Sequence, residues 1–157
     1  MSGIRIVKIG PEWDGDLALH RWHWARTASR WTGEVGPKLR DKLVEAAPAK
    51  PEWDHPERGA PGRLKASITQ QRAGEAVLEF HAHTPYARFV VSGTTAHGIR
   101  PVAARWLHWV DPRGVHFRKR VRHPGATANP FPERVLTEQR GMVVDEMRTA
   151  VEDTFRR

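Results

Sequence analysis

Cysteine is absent from the 157 residues. That removes disulfide frameworks, thiolate metal centres and cysteine nucleophiles together. A chain of this length buries a core without such staples, and it fits one domain, residues 1–157, better than two. Long apolar runs are missing as well. None approaches the roughly 20 residues a membrane helix needs, so no membrane partner is expected. Residues 1–10 lack the charged start, apolar middle and small-residue cleavage site of a signal peptide. The expected folding compartment is the cytosol. HExxH metal motifs, GxSxG elbows and phosphate-cradling glycine loops are also wanting.

Acidic residues are scarce in one stretch only. The formal charge is +8. Between Arg100 and His123 seven Arg or Lys residues meet a single acid, Asp111, so this segment carries +6. Such an excess points to a polyanionic neighbour: nucleic acid, an acidic protein surface or phosphate. Tryptophan, by contrast, is abundant: seven residues, five of them between Trp13 and Trp53. These large side chains suit cores and subunit interfaces.

The patterning predicts an α+β fold: a mainly antiparallel sheet packed by a long N-terminal helix and a long C-terminal helix. Ile4–Ile9 reads as a strand, and Asp14 or Asp16 as the cap of the first helix. Leu17, Trp24, Ala28, Trp31 and Val35 share one helical face. Gly36-Pro37 should kink or break that helix, and Leu39, Leu43, Val44 and Ala47 resume the pattern. Residues 48–62, with four prolines and two glycines, read as an irregular loop. Leu64, Ala66 and Ile68 alternate with polar residues, as do Leu78, Phe80 and Ala82, which predicts a hairpin turning at Ala73-Gly74-Glu75. Val115–Arg122 reads as a further strand. Asn129 before Pro130 is a good helix start. Leu136, Val143, Met147 and Val151 then form a stripe expected to pack on the sheet.

The strand expected at residues 115–122 is the sharpest local feature. It would set His116, Arg118, Arg120 and Arg122 on one face, a basic ridge toward DNA phosphates or an acidic partner. A solvated sheet face is the plainer reading. Metal ligation has two candidate pairs, His81 with His83 and His20 with His23, without a tight cluster around either. Surface or interface histidine is the better reading, and no metal or cofactor is expected. Ser92-Gly93-Thr94-Thr95 reads as a turn. A nuclease using His116 or His123 is conceivable, but no catalytic residue is assigned and the chain is read as a non-enzyme.

An ordered series of short motifs carries a family resemblance. It runs through Gly62, Leu64, Ser67 and Ile68, then Tyr86, Gly93 and Thr94, then His123-Pro124-Gly125 and Pro130-Phe131. In this order they resemble the tail-completion, or head–tail connector, proteins of long-tailed bacteriophages and prophages. In that family a "TGRLRxSI"-like strand precedes a "YAxxVExGT"-like segment and an "HPG…PF" entry to the last helix. Residues 50–61 intervene here where the family joins its helix and strand closely, and Val91 stands where an acid is usual. The resemblance implies a structural subunit of the virion neck, assembled in the host bacterial cytoplasm. Copies would form a sixfold ring, meet head-closure and tail-terminator or tail-tube proteins, and contact passing DNA without sequence preference. A stand-alone basic nucleic-acid-binding domain is the alternative, and a small nuclease or toxin a third.

Overall fold

The computed structural model describes residues 4–9, 21–49 and 62–156, with backbone alone at 4–9, 21, 22 and 155. Contacts cluster into two compact units, one from Met1–Ala87 with Pro130–Arg157 and the other Arg88–Asn129. The cap residues expected at Asp14 or Asp16, Leu17, His20 and the loop of residues 50–61 fall outside the described residues.

In the first unit, strand β1 (Ile4–Ile9) precedes helix α1 (Arg21–Ala46). A single helical turn, α2 (Arg63–Ala66), leads into strands β2 (Ile68–Gly74) and β3 (Val77–Ala82). Helix α4 (Phe131–Phe155) closes the unit. The sheet is antiparallel with order β1-β3-β2. This is the expected α+β arrangement of long terminal helices and antiparallel strands. Strand β3 keeps the expected alternation: Leu78, Phe80 and Ala82 are buried while Val77, Glu79 and His81 are only partly covered.

Helix α1 supplies the largest share of the core, with Ala28, Trp31, Val35, Leu39 and Leu43 all buried. It does not break at Gly36-Pro37 but continues past Pro37 as one helix of 26 residues. Proline removes one helix hydrogen bond, and burial on both sides of it, at Val35 and Leu39, opposes a break. Gly36 has a separate use. A Cβ there would stand 3.1 Å from the Gln70 side-chain amide, so the glycine lets β2 come close to the helix.

Two further expectations are corrected. Residues 63–66 are helical rather than extended. Gly62 turns the chain at φ +81°, a conformation that glycine adopts without a Cβ clash. The Ser67 hydroxyl donates to Leu64 O at 2.8 Å. Leu64 and Ile68 are both buried, but Ala66 between them is exposed. A spacing of four suits a strand face and a helix face alike, and so the sequence pattern misleads. The hairpin then turns at Glu75-Ala76.

Helix α4 packs chiefly along α1, not on the sheet. Thr27 meets Thr154 and Arg30 meets Asp153, while Lys38 meets Glu146. Rising numbers against falling ones make the helices antiparallel. The buried face of α4 holds Phe131, Val135, Ala150 and Thr154. Leu136, Val143 and Met147 are only half-covered, and Val151 is exposed. The stripe is thus rotated from the one expected, because Glu146 and Asp153 interrupt the true face and are satisfied by partners on α1. The α4 start also differs: Pro130 holds the cap position without a side-chain cap, and the Asn129 N–H donates to Val90 O at 3.0 Å.

Candidate interaction surface

The second unit is built from short pieces. Helix α3 (Ala87–Ser92) enters it, followed by strands β4 (His97–Ile99), β5 (Leu107–Asp111), β6 (Gly114–Arg118) and β7 (Val121–His123). β4 pairs with β7, and β5 with β6, as two separate two-stranded antiparallel ladders. Isolated ladders of two strands are marginal in water. Something besides sheet formation must order this unit.

A backbone clasp does so, made by residues the motif series singled out. Thr94 and Ala126 exchange both backbone bonds, at 2.9 and 3.0 Å. Gly93 and Gly125 flank this bridge at φ +71° and +95°. A Cβ on Gly125 would lie 2.3 Å from Thr94 O, and one on Gly93 would lie 2.5 Å from Ala126 O. Only glycine permits so close a crossing. His123 Nδ1 accepts the Gly125 N–H at 3.0 Å, which places that ring's proton on Nε2. His97, opposite His123 in the β4–β7 ladder, stacks on it with ring centroids 5.1 Å apart. Pro124 is exposed.

The remaining motif residues belong to the first unit. Gly62 and Ser67 flank α2, Leu64, Ile68 and Phe131 are buried, Pro130 precedes α4, and Tyr86 is half-covered before α3. The motif residues are thus divided between the clasp of the second unit and the ends of α2 and α4 in the first.

The β5–β6 hairpin turns through Pro112-Arg113 and ends its ladder at Asp111 opposite Gly114. Asp111 accepts from the Arg113 N–H at 2.7 Å and from His116 Nε2 at 3.0 Å. The His116 bond first, and the Arg113 N–H second, hold the Asp111 carboxyl below the usual carboxylate range. His116 also stacks on Trp109 at 5.1 Å. The other hairpin face carries His108, Val110, Val115 and Phe117, all exposed, with Val115 at 59% and Phe117 at 55%.

The basic ridge expected along one strand does not form as such. The strand breaks after Arg118. His116 and Arg118 lie on β6, Arg120 lies in the connection, and Arg122 belongs to β7 in a different ladder. Arg120 lies against Gly98 on β4, its Nε 3.4 Å from where a glycine Cβ would stand. His116 is bonded to Asp111, so it is not a spare cation. The periodicity carried no sign of this break, because Arg118-Lys119-Arg120 has no turn residue in it.

What the basic segment does have is company. Arg88–Asn129 contains eight Arg or Lys and one acid, leaving only +1 for the rest of the chain. Among the described residues, none of this unit is buried. It holds seven of the nine large hydrophobic residues that stand exposed. Lys119 Nζ and the Arg105 guanidinium sit 5.1 and 6.0 Å from the Trp106 ring centroid, the distances of a cation over an aromatic face. Sequence reasoning did not mark Val110, Val115 and Phe117 as surface, because nothing local tells a covered face from an open one.

No His, Asp or Glu group of three or more that could hold a metal occurs among the described residues. No described helix is long and apolar enough to cross a membrane. Within this α+β fold the second unit exposes both charge and apolar side chains. No family model, curated protein or solved structure matches this chain.

Proposed function

We propose that this chain is a structural subunit of a phage neck, a tail-completion protein whose copies close into a ring between head and tail. One observation carries the reading: Arg88–Asn129 exposes apolar side chains as a group and buries none of its residues. Soluble monomers rarely leave such area open, and a cluster of it marks a surface meant for contact. The ordered motif resemblance says which kind of assembly this is. Head-to-tail contacts that close give a ring, and the +7 of this unit suits a channel that meets DNA backbone without reading bases. The partners are further copies of the chain, the head-closure and tail-terminator or tail-tube proteins, and DNA in passing. Its place is the virion neck, and it performs no catalysis.

Light-scattering mass across a concentration series tests this. A discrete assembly, ring-shaped by negative-stain microscopy, is the expected result. A strict monomer at every concentration would overturn it. The second reading, a nucleic-acid-binding domain, draws on exposed Trp106 beneath two cations, since base stacking on aromatic rings tolerates any sequence. It requires a monomer that binds DNA, with affinity falling steeply as salt rises.

A further inference from the structure

We infer that His123 is a proton-operated latch on the clasp that orders Arg88–Asn129: on taking up a proton, its ring releases Gly125 and the crossing opens. The latch belongs to the single chain and works in a monomer and in a ring alike.

The two rings stacked across the β4–β7 ladder differ in the proton each can accept. His97 Nδ1 lies 2.9 Å from Thr95 O. A carbonyl only accepts, so this nitrogen carries a proton, and a second proton on Nε2 leaves the bond intact. His123 is the reverse case. Its Nδ1 accepts the Gly125 N–H at 3.0 Å, and a charged imidazole has no acceptor left. Protonated His123 therefore sets N–H against N–H, and the ring must turn away from Gly125.

Gly125 is where such a loss tells most. It stands at φ +95°, one residue before Ala126, whose N–H is shared between Thr94 O and Thr94 Oγ1, both at 3.0 Å. The Thr94 N–H returns a bond to Ala126 O at 2.9 Å. These bonds carry the crossing, since the ladders beside it have two strands each and none of the unit's described residues is buried.

The surroundings supply nothing to hold the added charge. Charged side chains near the pair are Arg120, against Gly98 on β4, and Arg122, next to His123 on β7. Helix α3, whose Val90 O takes the Asn129 N–H, brings Arg88, which lies over the Phe89 ring. Residues 94–96 and 124–129 have no titratable side chain. Asp111, the one acid of the unit, is bonded to His116 and the Arg113 N–H in the other ladder. Two charged rings with centroids 5.1 Å apart would stand in a unit whose eight bases and one acid already give +7, and like charges repel. The Gly125 bond is thus whole while the ring is neutral. It is lost as pH falls through the interval in which imidazoles titrate, about pH 8 to 5.

His123→Asn separates the bond from the proton. An Asn side-chain oxygen accepts the N–H two residues on, as an Asx turn, and does not titrate. Amide exchange, corrected for its intrinsic pH dependence, is followed by NMR in the whole chain from about pH 8 to about pH 5, with the His123 ring carbons reporting protonation. In the wild type, protection at Thr94 and Ala126 should fall about five-fold, in step with His123 protonation, while α1 and α4 keep theirs. His123→Asn should hold its protection across the interval. Protection that stays level while His123 titrates overturns the latch. A loss of equal size in His123→Asn also overturns it, by assigning the effect to another group. So does a His123 ring that stays neutral down to about pH 5. Should His123→Asn not fold, the wild-type titration decides by itself.

Discussion

The two units of this chain solve the same problem in opposite ways. The first follows the usual route of amphipathic elements burying apolar faces against each other. Every buried apolar side chain among the described residues belongs to it, and α1 and α4 add cross-pairs such as Arg30–Asp153 at their edge. The second unit has backbone order without a core. Its shape comes from the Gly93–Gly125 crossing, two short ladders and the Asp111–His116 bond. The difference teaches that a segment can be well defined in backbone conformation without burying side chains of its own. In the first unit burial creates the structure. In the second, backbone geometry holds apolar side chains in the open.

The comparison can be broken most severely in the first unit. Phe80 is fully buried, and Phe80→Ala should cost about 3–5 kcal/mol, the loss of transferred area plus a cavity. Urea unfolding followed by far-UV signal measures it. A loss below about 1 kcal/mol would mean that the core is far looser than described. Next comes the clasp. Gly125→Ala forces a side chain into φ +95° and against Thr94 O. Strain of this type costs about 1–3 kcal/mol, with the backbone clash in addition. Amide exchange should accelerate throughout Arg88–Asn129 while α1 and α4 keep their protection. Uniform loosening of both units would erase the distinction drawn here.

A smaller effect concerns acid. Asp111 has its folded-state pKa lowered by His116 and Arg113. A lowered carboxylate stabilises the fold above its unfolded pKa, and that contribution is lost as pH falls through the folded value. The hairpin should therefore loosen below the ordinary carboxylate range, and Asp111→Asn should abolish that pH dependence. The chemical shifts of the Arg113 amide and the Trp109 indole across an acid titration report it. Lys38 sits at the other end of the scale. Its hydrogen bond to Glu146 raises its pKa, so its contribution is whole below the ordinary lysine value and disappears as pH rises beyond it. Smallest of all, Arg118→Glu with Arg120→Glu should change folding stability by less than about 0.5 kcal/mol, since both are exposed. The same pair should impair head–tail joining or DNA retention in assembled particles. Fully infectious particles in normal numbers would leave these arginines merely solvated.

Much of this molecule follows from sequence alone. The stretches from Trp24 to Val35 and from Leu39 to Ala46 had to be helical because their apolar residues recur at three- and four-residue steps. Strand β3 followed from strict alternation, and the concentration of charge in one region is simple counting. Those are local signals, and local physics is enough to read them. Tertiary structure decided the rest. It carried α1 through Pro37, because Val35 and Leu39 are buried on either side. It made residues 63–66 a helical turn, because a spacing of four fits both periods and only Gly62's turn and the covered Leu64 distinguish them. It chose the face of α4, because Lys38 and Arg30 across the helix pair make Glu146 and Asp153 acceptable at its border. It broke the basic strand after Arg118, because β7 finds its partner in β4, more than twenty residues back. And it left Val110, Val115 and Phe117 in the open. Whether an apolar face is covered depends on what stands opposite it, and residues distant in sequence, or on another copy, supply that.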